Sequence, residues 1–266
     1  MCEIFCFNSN TPKQINKCLQ CFYNHSDQHP HGWGLATMQS DEFVITKEPI
    51  KATCSQHLKD ILSHPVVGKN VFAHIRLATV GEIISPNCHP FIEADDQNRS
   101  WMLIHNGTIF DYPELEKYRD RENGDTDSER ILLYIIDNVN EFEKSKGAAS
   151  TIKERFNLLT EIVSDLSKNN KLNLMIYDGD LTYIHSNMRS SLFYLKNEEG
   201  FLVATTPITD DEGWKQVELN KLFGLIDGNI IFESEEHENE YVLTAEHEKV
   251  LKEFLNEINQ EGKDDQ

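Results

Sequence analysis

Leu172-Asn173-Leu174-Met175-Ile176-Tyr177-Asp178-Gly179-Asp180-Leu181-Thr182-Tyr183-Ile184-His185 reads as two short apolar strands joined by a tight turn. Asp-Gly between paired apolar runs is a strong hairpin signal, because both residues tolerate the positive φ that such a turn needs. Asp227-Gly228 repeats the signal after Leu222–Ile226, and Leu192–Leu195 and Phe201–Thr205 are further strand-like runs. Toward the N-terminus, residues 2–8, Gly32–Met38, Phe43–Lys47, Lys69–Leu77 and Ser100–His105 read as strands. Thr11-Pro12 reads as a helix start, a cap followed by Pro at the first helical position. Apolar residues at helical spacing predict long helices after Thr126 and over Ile152–Leu166, and an amphipathic helix over Ala245–Ile258. Strands in hairpins interrupted by a few long helices define an α+β layered fold.

The chain has 266 residues, with 25 Lys and Arg against 45 Asp and Glu, a net charge of −20. Such an acidic balance argues against binding nucleic-acid phosphates or an anionic membrane surface, both of which need clustered cations. No stretch approaches the roughly 18 apolar residues of a membrane span. The N-terminus carries Glu3 where a secretory signal would be basic, so a cytoplasmic chain is expected. Its six cysteines lie within residues 2–88, a distribution that fits free thiols better than a disulfide framework.

Several residues have both a plain and a chemical reading. Cys2 is a small strand residue. If the initiator Met is removed, it is also a thiol bearing a free α-amine, a group that titrates at roughly 7.7–8.0 and can take the thiol proton. His105-Asn106-Gly107 after an apolar run reads as a hairpin turn, or as a pair of oxyanion donors from the Asn amide and the Gly N–H. Arg76 suits a surface ion pair, or bidentate capture of a carboxylate. Asp125-Thr126-Asp127-Ser128-Glu129 reads as helix capping, or as a carboxylate site for an ammonium. Cys18-x-x-Cys21 has a metal-ligand spacing, but Cys18 also belongs to an apolar helical stripe, and no metal site is assigned. Neither standard phosphate-binding glycine loop occurs.

Taken in order, these motifs resemble those of the class II glutamine amidotransferases. Cys2 resembles their nucleophile, His31-Gly32-Trp33-Gly34 an early glycine-containing strand entry, and Ala73-His74-Ile75-Arg76-Leu77-Ala78-Thr79 their glutamine-carboxylate motif. Asn87-Cys88-His89-Pro90-Phe91 is similar to their Asn-x-His-Pro segment, His105-Asn106-Gly107 to their oxyanion motif, and Asp125 to Glu129 to their amine-binding motif. More weakly, Leu172 to Gly179 and Thr205-Thr206-Pro207 before Trp214 resemble the small stand-alone, YafJ-like members.

The resemblance implies a four-layer αββα sandwich of the N-terminal-nucleophile hydrolase type, with one amidotransferase domain over 1–250 and a helix end and acidic polar tail over 251–266. It implies cleavage of the glutamine γ-amide through a Cys2 thioester, with Asn106 and Gly107 on the oxyanion. Arg76 would hold the α-carboxylate and Asp127 the α-ammonium, with Thr79 and His89 lining the pocket. No metal or organic cofactor is implied. Larger relatives carry a synthase or isomerase domain. Here the amidotransferase part fills most of the chain, so a separate synthase subunit is the partner such an enzyme would serve. Val80 stands where many relatives have His, so any role of that His is missing. Two alternatives share the glutamyl pocket: a hydrolase of γ-glutamyl peptides or thiol conjugates, and a non-catalytic γ-glutamyl-binding regulatory subunit.

Overall fold

The computed structural model describes residues 2–39 and 42–264. Among them, the strands form two antiparallel sheets. The seven-stranded sheet has the order β11-β9-β10-β1-β4-β2-β3. Its strands are β1 (Glu3–Gln14), β2 (Trp33–Gln39), β3 (Glu42–Glu48), β4 (Val67–Ile75), β9 (Phe193–Lys196), β10 (Phe201–Ala204) and β11 (Lys215–Gln216). The six-stranded sheet has the order β13-β12-β8-β7-β6-β5. It comprises β5 (Phe91–Ala94), β6 (Ser100–Thr108), β7 (Lys171–Tyr177), β8 (Thr182–Ser186), β12 (Lys221–Ile226) and β13 (Asn229–Glu233).

Three apolar clusters separate four layers. Ile4, Cys6, Phe72, Met102, Ile104 and Met175 fill the space between the sheets. On the far side of the first sheet, Phe5, Trp33 and Ala73 pack with residues of α1 (Asn16–Tyr23) and α2 (Gln56–Leu62). On the far side of the second, Leu172, Leu174 and Ile176 pack under α3 (Asp127–Lys146) and α4 (Ile152–Leu166). The alternation in β7 is the cause: even-numbered residues face the helices, while Met175 and Tyr177 face the opposite sheet. Each large apolar side chain so buried contributes about 1.5–3 kcal/mol. The αββα sandwich expected from the sequence is therefore the observed fold. A last helix, α5 (Ala245–Asp264), follows the second sheet. No described helix is long and apolar enough to cross a membrane.

Local signals explain most boundaries. Thr126 caps α3, its side chain accepting from the Glu129 N–H, and Gly147 closes that helix at φ 71°. Thr151 and Glu154 form a reciprocal capping box on α4. The turns at Asp178-Gly179 and Asp227-Gly228 join β7 to β8 and β12 to β13.

Two readings are corrected. Thr11-Pro12 does not start a helix. β1 runs on to Gln14, and Pro12 falls in an irregular stretch between the Asn8–Asn70 and Lys13–Gly68 pairs, where a missing N–H disturbs no ladder bond. Asn106-Gly107 is not a turn. Both residues lie inside β6, opposite Asn173 and Leu172 of β7, since β6 continues three residues beyond the apolar run that marked it.

Candidate active site

Cys2 immediately precedes β1, and its half-buried thiol lies 3.4 Å from the Leu77 carbonyl. β1 pairs with β4, whose end delivers the 76–82 segment to the same place. The Thr205 hydroxyl links the start of β1 to the other sheet. Thr205 Oγ1 accepts from the Ile4 N–H at 3.0 Å and from Asn106 Nδ2 at 3.3 Å. The Thr205 N–H in turn donates to the Ile4 carbonyl at 3.0 Å. The start of β1 and the Asn106 carboxamide of β6 are thus held in register across the gap between sheets. Gly107 is required where it stands, because a Cβ there would come within 2.0 Å of the Lys171 carbonyl oxygen and 2.2 Å of His105 Nε2.

Arg76 is buried, and its guanidinium donates to the carbonyls of Glu82 at 2.7 Å, Val80 at 2.9 Å and Gly81 at 3.2 Å. A guanidinium carries five N–H groups, so these three bonds leave capacity for a further acceptor. The sequence reading missed this first duty of Arg76, which is to shape the loop that follows it. Thr79 is half-buried in that loop. The loop has two more anchors. His31 Nδ1 accepts from the Ala78 N–H at 3.0 Å, and burial together with the Arg76 charge holds the imidazole below its usual range, so it stays neutral. Asn87 Nδ2 donates to the Glu82 carbonyl at 2.9 Å and to Asp125 Oδ1, which also accepts the Glu82 N–H at 3.3 Å.

Asp127, in the first turn of α3, is buried. Its Oδ2 accepts the Ile109 N–H at 2.9 Å, and the Ser128 hydroxyl lies 3.2 Å from its Oδ1. The same hydroxyl is 3.0 Å from His105 Nδ1. A cavity of about 840 Å³ opens here; Val80, Thr108 and Asp127 line it, together with His247 and Val250 of α5, whereas Cys2, Arg76 and Asn106 do not. His89 sits further back. Its ring stacks on His74 with centroids 4.0 Å apart and meets the Phe91 ring in a T-shaped contact with centroids 4.6 Å apart. Burial drives both imidazoles well below their usual range, and they are neutral. Lys47 pins this segment by donating to the Cys88 carbonyl at 2.7 Å.

Thr205 and Lys171 were not singled out from the sequence as site residues. Lys171 carried a usable signal: strand periodicity puts it on the same face as Met175 and Tyr177, where a lysine has no packing reason to be. Among the described residues, no group of three or more His, Cys, Asp or Glu is arranged to hold a metal ion, Cys18 and Cys21 included.

Cys2, the 76–82 loop and the Asn106 carboxamide are thus connected through the Leu77 carbonyl and the Thr205 hydroxyl. The match of residues 1–201 to the family model "Glutamine amidotransferases class-II" makes the family definite: this chain belongs to the class II glutamine amidotransferases. It is 29% identical to an uncharacterized protein of Methanocaldococcus jannaschii, over 87% of this chain and 71% of that one. It is 26% identical to YafJ of Escherichia coli K12, over 77% and 80% respectively. Among solved structures, a predicted glutamine amidotransferase of Pseudomonas aeruginosa superposes with a TM-score of 0.59 at 19% identity, covering 86% of this chain and 99% of that chain. The glutamine phosphoribosylpyrophosphate amidotransferase of Bacillus subtilis superposes with a TM-score of 0.61 at 17% identity, covering 88% of this chain but only 49% of its own. These likenesses support the fold.

Proposed function

We propose that this protein hydrolyses the side-chain amide of glutamine to glutamate and ammonia through a Cys2 thioester, once removal of Met1 has exposed the Cys2 amine. The observation that carries the reading is the Thr205 link, which ties the chain directly after Cys2 to the Asn106 carboxamide. The amine accepts the thiol proton, directly or through one water, and the thiolate attacks the amide carbon. Negative charge moves onto the amide oxygen, where Asn106 Nδ2 and the Gly107 N–H donate to it. The tetrahedral intermediate collapses, the protonated amine gives its proton to the leaving nitrogen, and ammonia departs. Water then attacks the thioester, releasing glutamate and regenerating the thiol. Arg76 and Asp127 carry charges opposite to the two ends of an α-amino acid head; Arg76 holds the 80–82 loop, and Asp127 lines the cavity. Thr79 contributes to the wall, and His89 supports it from behind. The reaction as written needs no cofactor. A separate synthase subunit that takes the ammonia is the partner this chemistry calls for.

The test is release of glutamate and ammonia from glutamine by protein whose intact mass shows Met1 to be absent. Cys2→Ala and an uncleaved N-terminal extension should each abolish turnover in folded protein. Asn106→Ala should lower kcat by about a hundred- to a thousandfold with a much smaller change in KM. Normal turnover by protein with a blocked N-terminus would overturn the mechanism.

A further inference from the structure

A carboxamide has two chemically opposite ends, and only one serves an oxyanion. For Asn106 to donate, Nδ2 must face the reacting carbonyl and Oδ1 must face away. The Thr205 hydroxyl does not decide between the two orientations, because a hydroxyl both donates and accepts. Lys171 does decide. Its Nζ lies 3.1 Å from Asn106 Oδ1, and an ammonium can only donate, so the atom facing it must be the oxygen.

The register explains the contact. Asn106 lies opposite Asn173, and Thr108 lies opposite Lys171, so Lys171 is the diagonal neighbour of Asn106 on the face toward the other sheet. Lys171 is only 3% exposed. Burying a cation there is costly unless something local answers the charge. Burial pushes Lys171 down to about 8, and the neighbouring Cys2 opposes that fall. The ammonium form therefore predominates at neutral pH, and the Asn106 carboxamide oxygen is the acceptor that faces it.

We propose that Lys171 is a positioning residue of this site: it locks the Asn106 carboxamide with Nδ2 toward the oxyanion. The inference rests on the glutaminase reading for its kinetic consequences, but the coupling of Lys171 to Asn106 is measurable without turnover. No bond to Lys171 forms or breaks. Its ammonium holds the carboxamide through the attack.

The experiment compares wild type, Lys171→Met, Lys171→Arg, Asn106→Ala and the Lys171→Met/Asn106→Ala double variant, each checked for folding by circular dichroism. Two readouts are taken: kcat and KM for glutamine, and the urea unfolding midpoint, in which coupling between the Lys171 and Asn106 changes reports their contact without turnover. Lys171→Met is close to isosteric and should lower kcat by about ten- to a hundredfold, the scale of a misplaced reacting group, with KM changed less than about threefold. Lys171→Arg should recover part of that loss. In the Asn106→Ala background the same Lys171→Met change should cost less than about threefold, because the residue it positions is gone. The urea losses of Lys171→Met and Asn106→Ala should not add in the double variant, because they remove the same contact. Equal kcat losses in both backgrounds, or additive urea losses, would overturn the positioning role. A wild type that releases no glutamate would remove the proposed reaction, and the urea comparison alone would then decide whether Lys171 holds Asn106.

Discussion

Asn87 and Asp125 bind one another in both directions: the Asp125 N–H donates to Asn87 Oδ1 at 2.9 Å, while Asn87 Nδ2 donates to Asp125 Oδ1. The pair joins the entry of α3 to the loop whose carbonyls hold Arg76. Both neighbouring glycines are shaped by it. A Cβ on Gly124 would come within 2.0 Å of Asn87 Oδ1, and one on Gly81 within 2.6 Å of Asp125 Oδ1.

Asn87→Ala should therefore release the 80–82 loop and disorient Arg76 without touching Cys2. KM for glutamine should rise by about tenfold, with a smaller fall in kcat. Gly124→Ala should mimic it by displacing the Asn87 side chain. Steady-state kinetics on both variants checks this, and a pure kcat defect would show that the pair serves the chemistry and not the loop.

The proposed head-group contacts predict a pattern across substrates. Arg76→Lys keeps the charge but loses the fork that spans the Val80 and Glu82 carbonyls. It and Asp127→Ala should each reduce kcat/KM for glutamine by about a hundredfold, and for a γ-glutamyl dipeptide by a similar factor, because neither residue is assigned to the leaving group. Asparagine, one methylene shorter, should be a poor substrate for every variant. Loss confined to glutamine, or equal use of asparagine by wild type, would reject this assignment.

A stability prediction comes from the opposite face of the second sheet. Arg155 of α4 donates from Nε to Asp178 Oδ2 at 2.6 Å and from Nη2 to Asp180 Oδ2 at 2.5 Å, while the Tyr183 hydroxyl donates to Asp178 Oδ2 at 2.6 Å. Arg155 and Asp178 are both buried. Arg155→Met strands the Asp178 carboxylate and should cost about 3–5 kcal/mol. Adding Asp178→Asn should restore part of that loss. Urea unfolding of both single variants and of the double variant measures these effects, and additive losses would mean that the pair is not coupled.

The acid limb of stability should depend on Asp95. Burial alone would raise its carboxyl, but hydrogen bonds from the Trp101 indole N–H and from the Arg99 backbone and guanidinium outweigh it and hold the carboxyl below the usual range. With the folded value depressed, the contribution is fully present above the unfolded value of about 3.9 and is lost as pH falls through the folded one. Asp95→Asn should thus be less stable than wild type at pH 7, and the gap should narrow below about pH 4. Urea midpoints at pH 7, 4 and 3 test this, and parallel curves for the two proteins would reject it.

The sequence by itself carried what is local. Asp178-Gly179 and Asp227-Gly228 announced their hairpins because Gly179, Asp227 and Gly228 tolerate the positive φ they adopt, and Thr126 and the Thr151/Glu154 box announced their helices because a cap reaches only three residues ahead. The motif order along residues 2–129 likewise pointed to the family that the match over residues 1–201 establishes. Tertiary structure decided what depends on pairing between distant strands. Asn106-Gly107 has the composition of a turn, yet it lies in a strand because β7 supplies hydrogen-bond partners 65–67 residues later. Arg76 looked free for a ligand until the 80–82 carbonyls folded back onto it. Thr205 and Lys171 reach Asn106 from 99 and 65 residues away. A hydrogen bond is made between neighbours in space, and only the stacking of the two sheets makes neighbours of these.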